Sequence, residues 1–133
     1  MDSEELTFET GRTPFTDLTP AARRFCGERN GDGLLSVFVP HATAGIALFE
    51  LGAGSDEDLA EVIGRLVPRD FGWRHRHGSF GHGADHVLPA IVSPSVVIPV
   101  ISGEPALGIW QSIVLIDTNH DNPRRTVRLS FLG

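Results

Sequence analysis

The feature that most restricts the fold is the punctuation of the second half of the chain. Apolar runs at 96–100, 111–117 and 126–131 are separated by Ser102-Gly103-Glu104-Pro105 and by a polar stretch running through Asn122. Short apolar runs closed by Gly, Pro and Asn clusters read as strands joined by turns, and that spacing predicts an antiparallel sheet. The first half adds three further strands, at 6–9, 34–39 and 43–50. Apolar residues occupy both faces of the 34–39 run, so that strand is expected in the interior.

The helices are expected before this sheet-rich half. Thr19-Pro20 fits an N-cap followed by the first helical position, and Gly27 fits the residue just past the end. That predicts a short helix from Pro20 to about Cys26. Gly52 and Gly54 then break the chain, and Ser55 with Asp58 three residues on has the form of a capping box. Leu59, Val62, Ile63 and Leu66 follow at i, i+3, i+4 and i+7, one apolar stripe. Asp56, Glu57 and Asp58 fall in the first turn, where carboxylates suit the positive end of the helix dipole. A last short helix is expected over 86–92, with Asp85 as its cap and Pro89 in its first turn. Few short helices followed by a run of strands make an α+β chain. With neither repeat nor low-complexity linker, residues 1–133 read as one domain.

Composition then excludes several functions. All eleven basic residues are arginine, so neither a lysine Schiff base nor a P-loop lysine is available. There is no tyrosine to serve as a phenolic acid. A net charge of −6 argues against a general nucleic-acid surface. No apolar run approaches the roughly 18 residues of a membrane span, and the acidic start does not resemble a targeting peptide. The expected location is the cytoplasm, with no membrane partner. The single cysteine, Cys26, rules out an internal disulfide and a Cys-rich zinc site.

The chemistry-bearing residues are chiefly histidines. His41 stands at the turn between two expected strands, and His75, His77, His82 and His86 crowd a stretch rich in Gly, His and Arg. Imidazole is the commonest protein ligand for zinc-like metals. His75 and His77 share a face if extended; His82 and His86 share one if helical, although Gly81 and Gly83 argue against a helix there. No fixed-spacing metal motif is present, so solvated loop histidines are the competing reading. His86 carries an extra argument, since a helix N-terminus disfavours its protonated, non-ligating form. Asp85 is a further ligand, an orienting partner or simply a cap. Glu50 closes the second strand as a base, a ligand or an exposed carboxylate. It lies an odd number of positions from His41, so a bulge at Gly45 is needed to bring the two together. His120 sits in a strong turn and reads as a loop residue. Gln111, beside Trp110, can orient a ligand, and Arg124-Arg125 can bind phosphate through paired donors or stand solvated at a strand entry.

Several segments together resemble the YjbQ-like family. His41-Ala42-Thr43-Ala44-Gly45 is similar to its H-T-T-A-G motif, and Glu50 falls at the glutamate of its N-E pair. Trp73-Arg74-His75 resembles its Y-x-H, and Gly83-Ala84-Asp85-His86 its segment ending in A-H. Ser93-Pro94-Ser95 with Ile98-Pro99-Val100 resembles G-P-S-x-x-I-P-V, and Gly108-Ile109-Trp110-Gln111 resembles G-T-W-Q. Arg124-Arg125 matches a terminal arginine pair. The match runs in order over nearly the whole chain. Ala42 and Ile109 stand where the family has threonines, Phe49 where it has asparagine and Trp73 where it has tyrosine; His77 and His82 are additional.

The resemblance implies a compact α+β fold with a β-sandwich or barrel-like sheet, assembled as a homotrimer. It implies metal or anion binding around His41, His75 and His86, a divalent ion being the expected cofactor; Glu50, Asp85 and Gln111 are the catalytic candidates beside it, and Arg124 and Arg125 the expected ligand holders. The family is named for a secondary thiamine-phosphate synthase activity, which joins a pyrimidine pyrophosphate to a thiazole phosphate and releases pyrophosphate. Pyrophosphate chemistry ordinarily employs magnesium, which prefers oxygen ligands, whereas a histidine site suits zinc or another transition metal. Two functions follow: a metal-assisted enzyme on a small phosphorylated substrate, or a non-catalytic metal or small-ligand binding protein.

Overall fold

The structure, a computed structural model, describes residues 1–11 and 13–133. The chain runs β1 (Asp2–Glu9), β2 (Phe15–Asp17), α1 (Thr19–Gly27), β3 (Gly33–Phe38), β4 (Ala44–Phe49), α2 (Ser55–Leu66) and α3 (His82–Ile91). It continues through β5 (Ser95–Ile101), β6 (Glu104–Pro105), β7 (Ser112–Asp117) and β8 (Arg124–Leu132). A five-stranded sheet has the order β1-β8-β3-β5-β6 and a three-stranded sheet the order β2-β7-β4. Every pairing is antiparallel, as the turn spacing predicts. The two sheets form a half-barrel around one core, so the α+β, barrel-like expectation holds.

Alternation explains which residues fill that core. Leu35 and Val37 of β3, Ile98 and Val100 of β5, and Val127 and Leu129 of β8 point inward from the large sheet. Ile46, Ile113 and Leu115 meet them from the small sheet, and α1 adds Ala22, Phe25 and Cys26. β7 is buried on its other face as well. There Val114 and Ile116 pack on Ile63 and Val67 at α2 and on Ala84 and Leu88 of α3. Each fully buried Val, Ile or Leu stabilises the fold by roughly 1.5–3 kcal/mol. This second cluster matters for function because it seats α3 rigidly.

Several local expectations change. Leu18, not Thr19, is the cap residue of α1. Asp17 Oδ1 instead accepts the Thr19 N–H at 2.9 Å, and Thr19 Oγ1 is turned inward to accept the Ile113 N–H at 2.9 Å. The capping box at Ser55 is absent; Gly54, at φ 89°, enters α2 without a side-chain cap. The buried side of α2 centres on Ile63 and reaches Val67, while Val62 and Leu66 of the expected stripe are exposed.

β4 pairs with β7 in unbroken register through Gly45↔Ile116, so Gly45 forms no bulge. A Cβ at Gly45 would lie 2.3 Å from the Val92 carbonyl oxygen. Close backbone approach, the other use of a strand glycine, accounts for the residue. The largest revision is at α3, which begins four residues earlier than expected, at His82. Asp85 is therefore not its cap, and Pro89 is its eighth residue, where it forfeits a helical hydrogen bond. Gly81 and Gly83 do not interrupt this helix; they make room for the preceding loop. A Cβ on Gly81 would lie 2.4 Å from the Arg69 carbonyl, and one on Gly83 would lie 2.4 Å from Trp73 Cβ.

Candidate functional site

The helical start of α3 decides the site. Residues four apart on a helix stack one turn above another, and His82 and His86 do so with their Nε2 atoms 3.0 Å apart. The loop before α3 brings His75 and His77 against them. Ring centroids lie 3.9 Å apart for His75–His77, 4.1 Å for His75–His86 and 5.2 Å for His77–His82. One ligand nitrogen from each of the four lies within 4.8 Å of every other. His82 is buried, His86 half-buried, and His75 and His77 are exposed, so the cluster opens to solvent.

The loop bearing His75 and His77 is held by Arg69, which spacing did not single out. Its Nε donates to the Phe80 carbonyl at 3.0 Å and its Nη1 to Asp85 Oδ1 at 2.9 Å. Nη2 reaches Ser79 Oγ at 3.3 Å and Asp85 Oδ2 at 3.4 Å. Asp85 is fully buried and also accepts the Thr118 hydroxyl at 2.8 Å. Through Arg69 it ties the loop to α3, and both of its oxygens are engaged by Arg69 and Thr118. Trp73 Nε1 donates to the Pro68 carbonyl at 2.8 Å and pins the loop on its other side.

Two of the four imidazoles, His75 and His86, are held toward the neutral, ligating form. Loss of hydration, then the facing rings of His77 and His82, pull the His75 pKa below the ordinary imidazole value. His86 is lowered by burial first and then by His75, His82 and His77, against a smaller opposing pull from Asp85. The direction agrees with expectation, but burial and then the neighbouring rings produce it. His82 Nδ1 is buried and makes no hydrogen bond of good geometry, although Asp121 Oδ2 lies 2.9 Å away and Asp85 Oδ2 3.4 Å away. Four imidazole nitrogens within 4.8 Å of one another, with the His82 and His86 Nε2 atoms 3.0 Å apart, form a donor set that suits a tetrahedral zinc-like ion, whose nitrogen bonds are about 2.0–2.1 Å. Oxygen-seeking magnesium does not fit this donor set.

The other expected site residues lie elsewhere. His41 is outside the converging group; its Nε2 accepts the Thr126 N–H at 3.0 Å, which occupies that nitrogen. Burial, then Arg125, lowers its pKa, opposed by Asp117. The arginine pair is split because successive strand residues face opposite ways. Arg124 points outward to Glu9, with 2.8 Å between Nε and Oε1. Arg125 is buried and grips Asp117 at 2.6 and 3.0 Å, with Thr43 Oγ1 at 2.7 Å and Thr10 Oγ1 donating to the same carboxylate at 2.9 Å. The two arginines therefore do not form a joint phosphate clamp within the chain. Gln111 Oε1 accepts the Gly108 N–H at 2.8 Å and closes its own exposed loop. Glu50 is half-exposed just past β4 and is not among the converging ligands. His120 is an exposed loop residue, as expected.

Two concavities border the cluster, and His75 lines both. One, of about 370 Å³, includes Arg76, Ser79 and His82; the other, of about 470 Å³, includes Trp73, Arg74 and His86. A further cleft of about 270 Å³ between α2 and the β7–β8 turn shares Arg69 but no histidine of the cluster. Its polar groups Asp117 and Asn119 are already paired.

Comparison with known proteins agrees with this architecture. The family model described as UPF0047 protein YjbQ-like matches residues 4–133. UPF0047 protein Rv2556c of Mycobacterium tuberculosis (strain ATCC 25618 / H37Rv) is 61% identical over 132 residues, which is 99% of this chain and 98% of the relative. A UPF0047 protein of Archaeoglobus fulgidus is 35% identical over 125 residues, 92% and 96% of the two chains. Hypothetical protein APE1520 from Aeropyrum pernix K1 superposes with a TM-score of 0.88 at 34% identity, covering 100% of this chain and 99% of that one. A YbjQ-like protein of unknown function from Sulfolobus solfataricus P2 shares the fold with a TM-score of 0.92 at 23% identity, covering 99% and 96%. On sequence and fold alike, the chain belongs to the UPF0047 protein YjbQ-like family.

Proposed function

We propose that His75, His77, His82 and His86 hold a zinc-like divalent ion, and that the centre assists a reaction of a small phosphorylated substrate. The observation that carries this reading is the convergence of four imidazole nitrogens beside two arginine-bearing concavities, which His75, His82 and His86 help to line. With one of the exposed imidazoles displaced, a bound ion of this class would supply Lewis-acid stabilisation of charge on a phosphoryl oxygen at the freed position. Arg76 on one side and Arg74 on the other offer planar donors to phosphate groups. The saturated Arg69 keeps the loop in place rather than binding substrate. Thiamine-phosphate synthesis is the named version: a bond forms from the thiazole nitrogen to the pyrimidine methylene carbon as pyrophosphate leaves. Purified protein loaded with zinc should release pyrophosphate from the two precursors, and Arg76→Ala should slow that release. Zinc binding without product from any phosphorylated substrate would instead establish a non-catalytic metal protein, a reading favoured by four imidazoles sufficing to fill a tetrahedral ion.

The assembly proposed with it is a homotrimer. Its support is the outer face of the large sheet, where Leu34, Phe38, Val97, Ile101 and Leu132 are all exposed. Apolar patches of this kind mark interaction surfaces. Sedimentation at the mass of three chains is expected, with Val97→Arg shifting the population to single chains; an unaltered protein that sediments as a monomer would rule the trimer out. Among the described residues no helix is long and apolar enough to cross a membrane.

A further inference from the structure

The histidine cluster has a neighbour that its sequence spacing does not announce. Asp121 belongs to the β7–β8 turn, 35 residues beyond His86 in the chain (121 less 86). Its Oδ2 lies 2.9 Å from His82 Nδ1. The same oxygen accepts the Ser79 N–H at 3.0 Å and the Ser79 hydroxyl at 3.1 Å. One carboxylate oxygen thus touches both the helix that carries His82 and the loop that carries His75 and His77. Asp85, the other carboxylate near His82, stands farther off at 3.4 Å and is committed to Arg69 and Thr118.

We infer that Asp121 is a positioning residue for the metal centre, which fixes the His82 tautomer and ties the ligand loop to α3. This rests on the proposed metal site. A histidine that offers Nε2 to a metal must carry its proton on Nδ1, and an acceptor beside Nδ1 selects that tautomer. His82 Nδ1 is buried without a well-aligned bond, and a small ring rotation would direct its N–H at the Asp121 oxygen. A carboxylate in this place also raises the basicity of the ligating nitrogen. The Ser79 contacts add a second effect: the residue that orients His82 also limits the freedom of the loop on which half of the ligands ride.

The test uses zinc as the probe and the full chain. Zinc affinity is measured by competition with a chromophoric chelator, and the His82 tautomer by ¹⁵N chemical shifts in histidine-labelled, zinc-free protein. Asp121→Asn is expected to weaken zinc binding by roughly 10–100-fold, the usual cost of losing an outer-sphere partner. It should also shift His82 away from the Nδ1–H tautomer. His120→Ala, in the same turn, serves as the control for local disturbance and should leave both readings unchanged. Equal zinc affinity and an unchanged tautomer in Asp121→Asn overturn the inference alone. Absence of zinc binding in the unaltered protein overturns the metal site first, and this role with it.

Discussion

Replacing His86 by alanine is expected to remove stoichiometric zinc from the protein while leaving its fold intact. His86 stands 3.0 Å from His82 through the Nε2 atoms and packs 4.1 Å from the His75 ring centroid, so it lies within the group rather than at its rim. Loss of a direct ligand should cost more than the roughly 10–100-fold that follows loss of an outer-sphere partner. Its ring is half-buried and belongs to neither apolar cluster, so with zinc removed from both proteins unfolding in urea should change little. His41→Ala provides the contrast. That ring accepts a backbone N–H, and its removal should weaken stability by about 1 kcal/mol while zinc content persists. Elemental analysis of the two variants decides the matter. Full zinc in His86→Ala, or its loss in His41→Ala with the fold retained, would refute the four-histidine centre. The lowered pKa values of His75 and His86 add a pH signature. For these two ligands proton competition sets in below the ordinary imidazole value of about 6.5, and acid should release the zinc.

The second large effect concerns stability. Arg125→Ala should destabilise the protein by about 3–5 kcal/mol, because it leaves the Asp117 carboxylate buried without its cation. That is a large share of the roughly 5–15 kcal/mol that holds an ordinary domain folded. Thr10, Thr43 and Asn119 converge on the same pair and would lose alignment as well. The double variant Arg125→Met with Asp117→Leu should recover much of the loss, since a buried ion pair replaced by apolar groups is often neutral. Urea denaturation of the single and double variants measures both. A ligand-binding role for Arg125 predicts a different outcome, small loss of stability with weakened binding of phosphate, and that result would exclude the structural assignment.

The histidines were visible in the sequence, but their partnerships were not. His75-x-His77 and His82-x₃-His86 have the spacings that align side chains on an extended loop and on a helix. Gly81 and Gly83 read as helix breakers and so argue against the second arrangement. Their actual role is steric: they let the Arg69 and Trp73 segment lie against α3. That approach is a tertiary fact, so local propensity pointed the wrong way. Arg69 and Asp121 could not be identified by spacing, because each acts through residues distant in the chain. The matched segment from His41 to Gly45 lies at the strand junction, where Thr43 joins the Arg125–Asp117 network and Gly45 admits the Val92 carbonyl.

Local chemistry therefore determined the elements and their pairing sense. Turn residues and the alternation of apolar side chains depend only on neighbours a few positions away, and they specified an α+β chain with antiparallel strands. Tertiary structure decided which face of each strand and helix met which partner. It buried Arg125 while leaving Arg124 in solvent, kept His41 apart from the converging histidines and brought His77 and His82 among them. Those outcomes depend on where segments far apart in sequence come to rest, and free-energy differences of a few kcal/mol between packed alternatives leave no periodic mark on the chain.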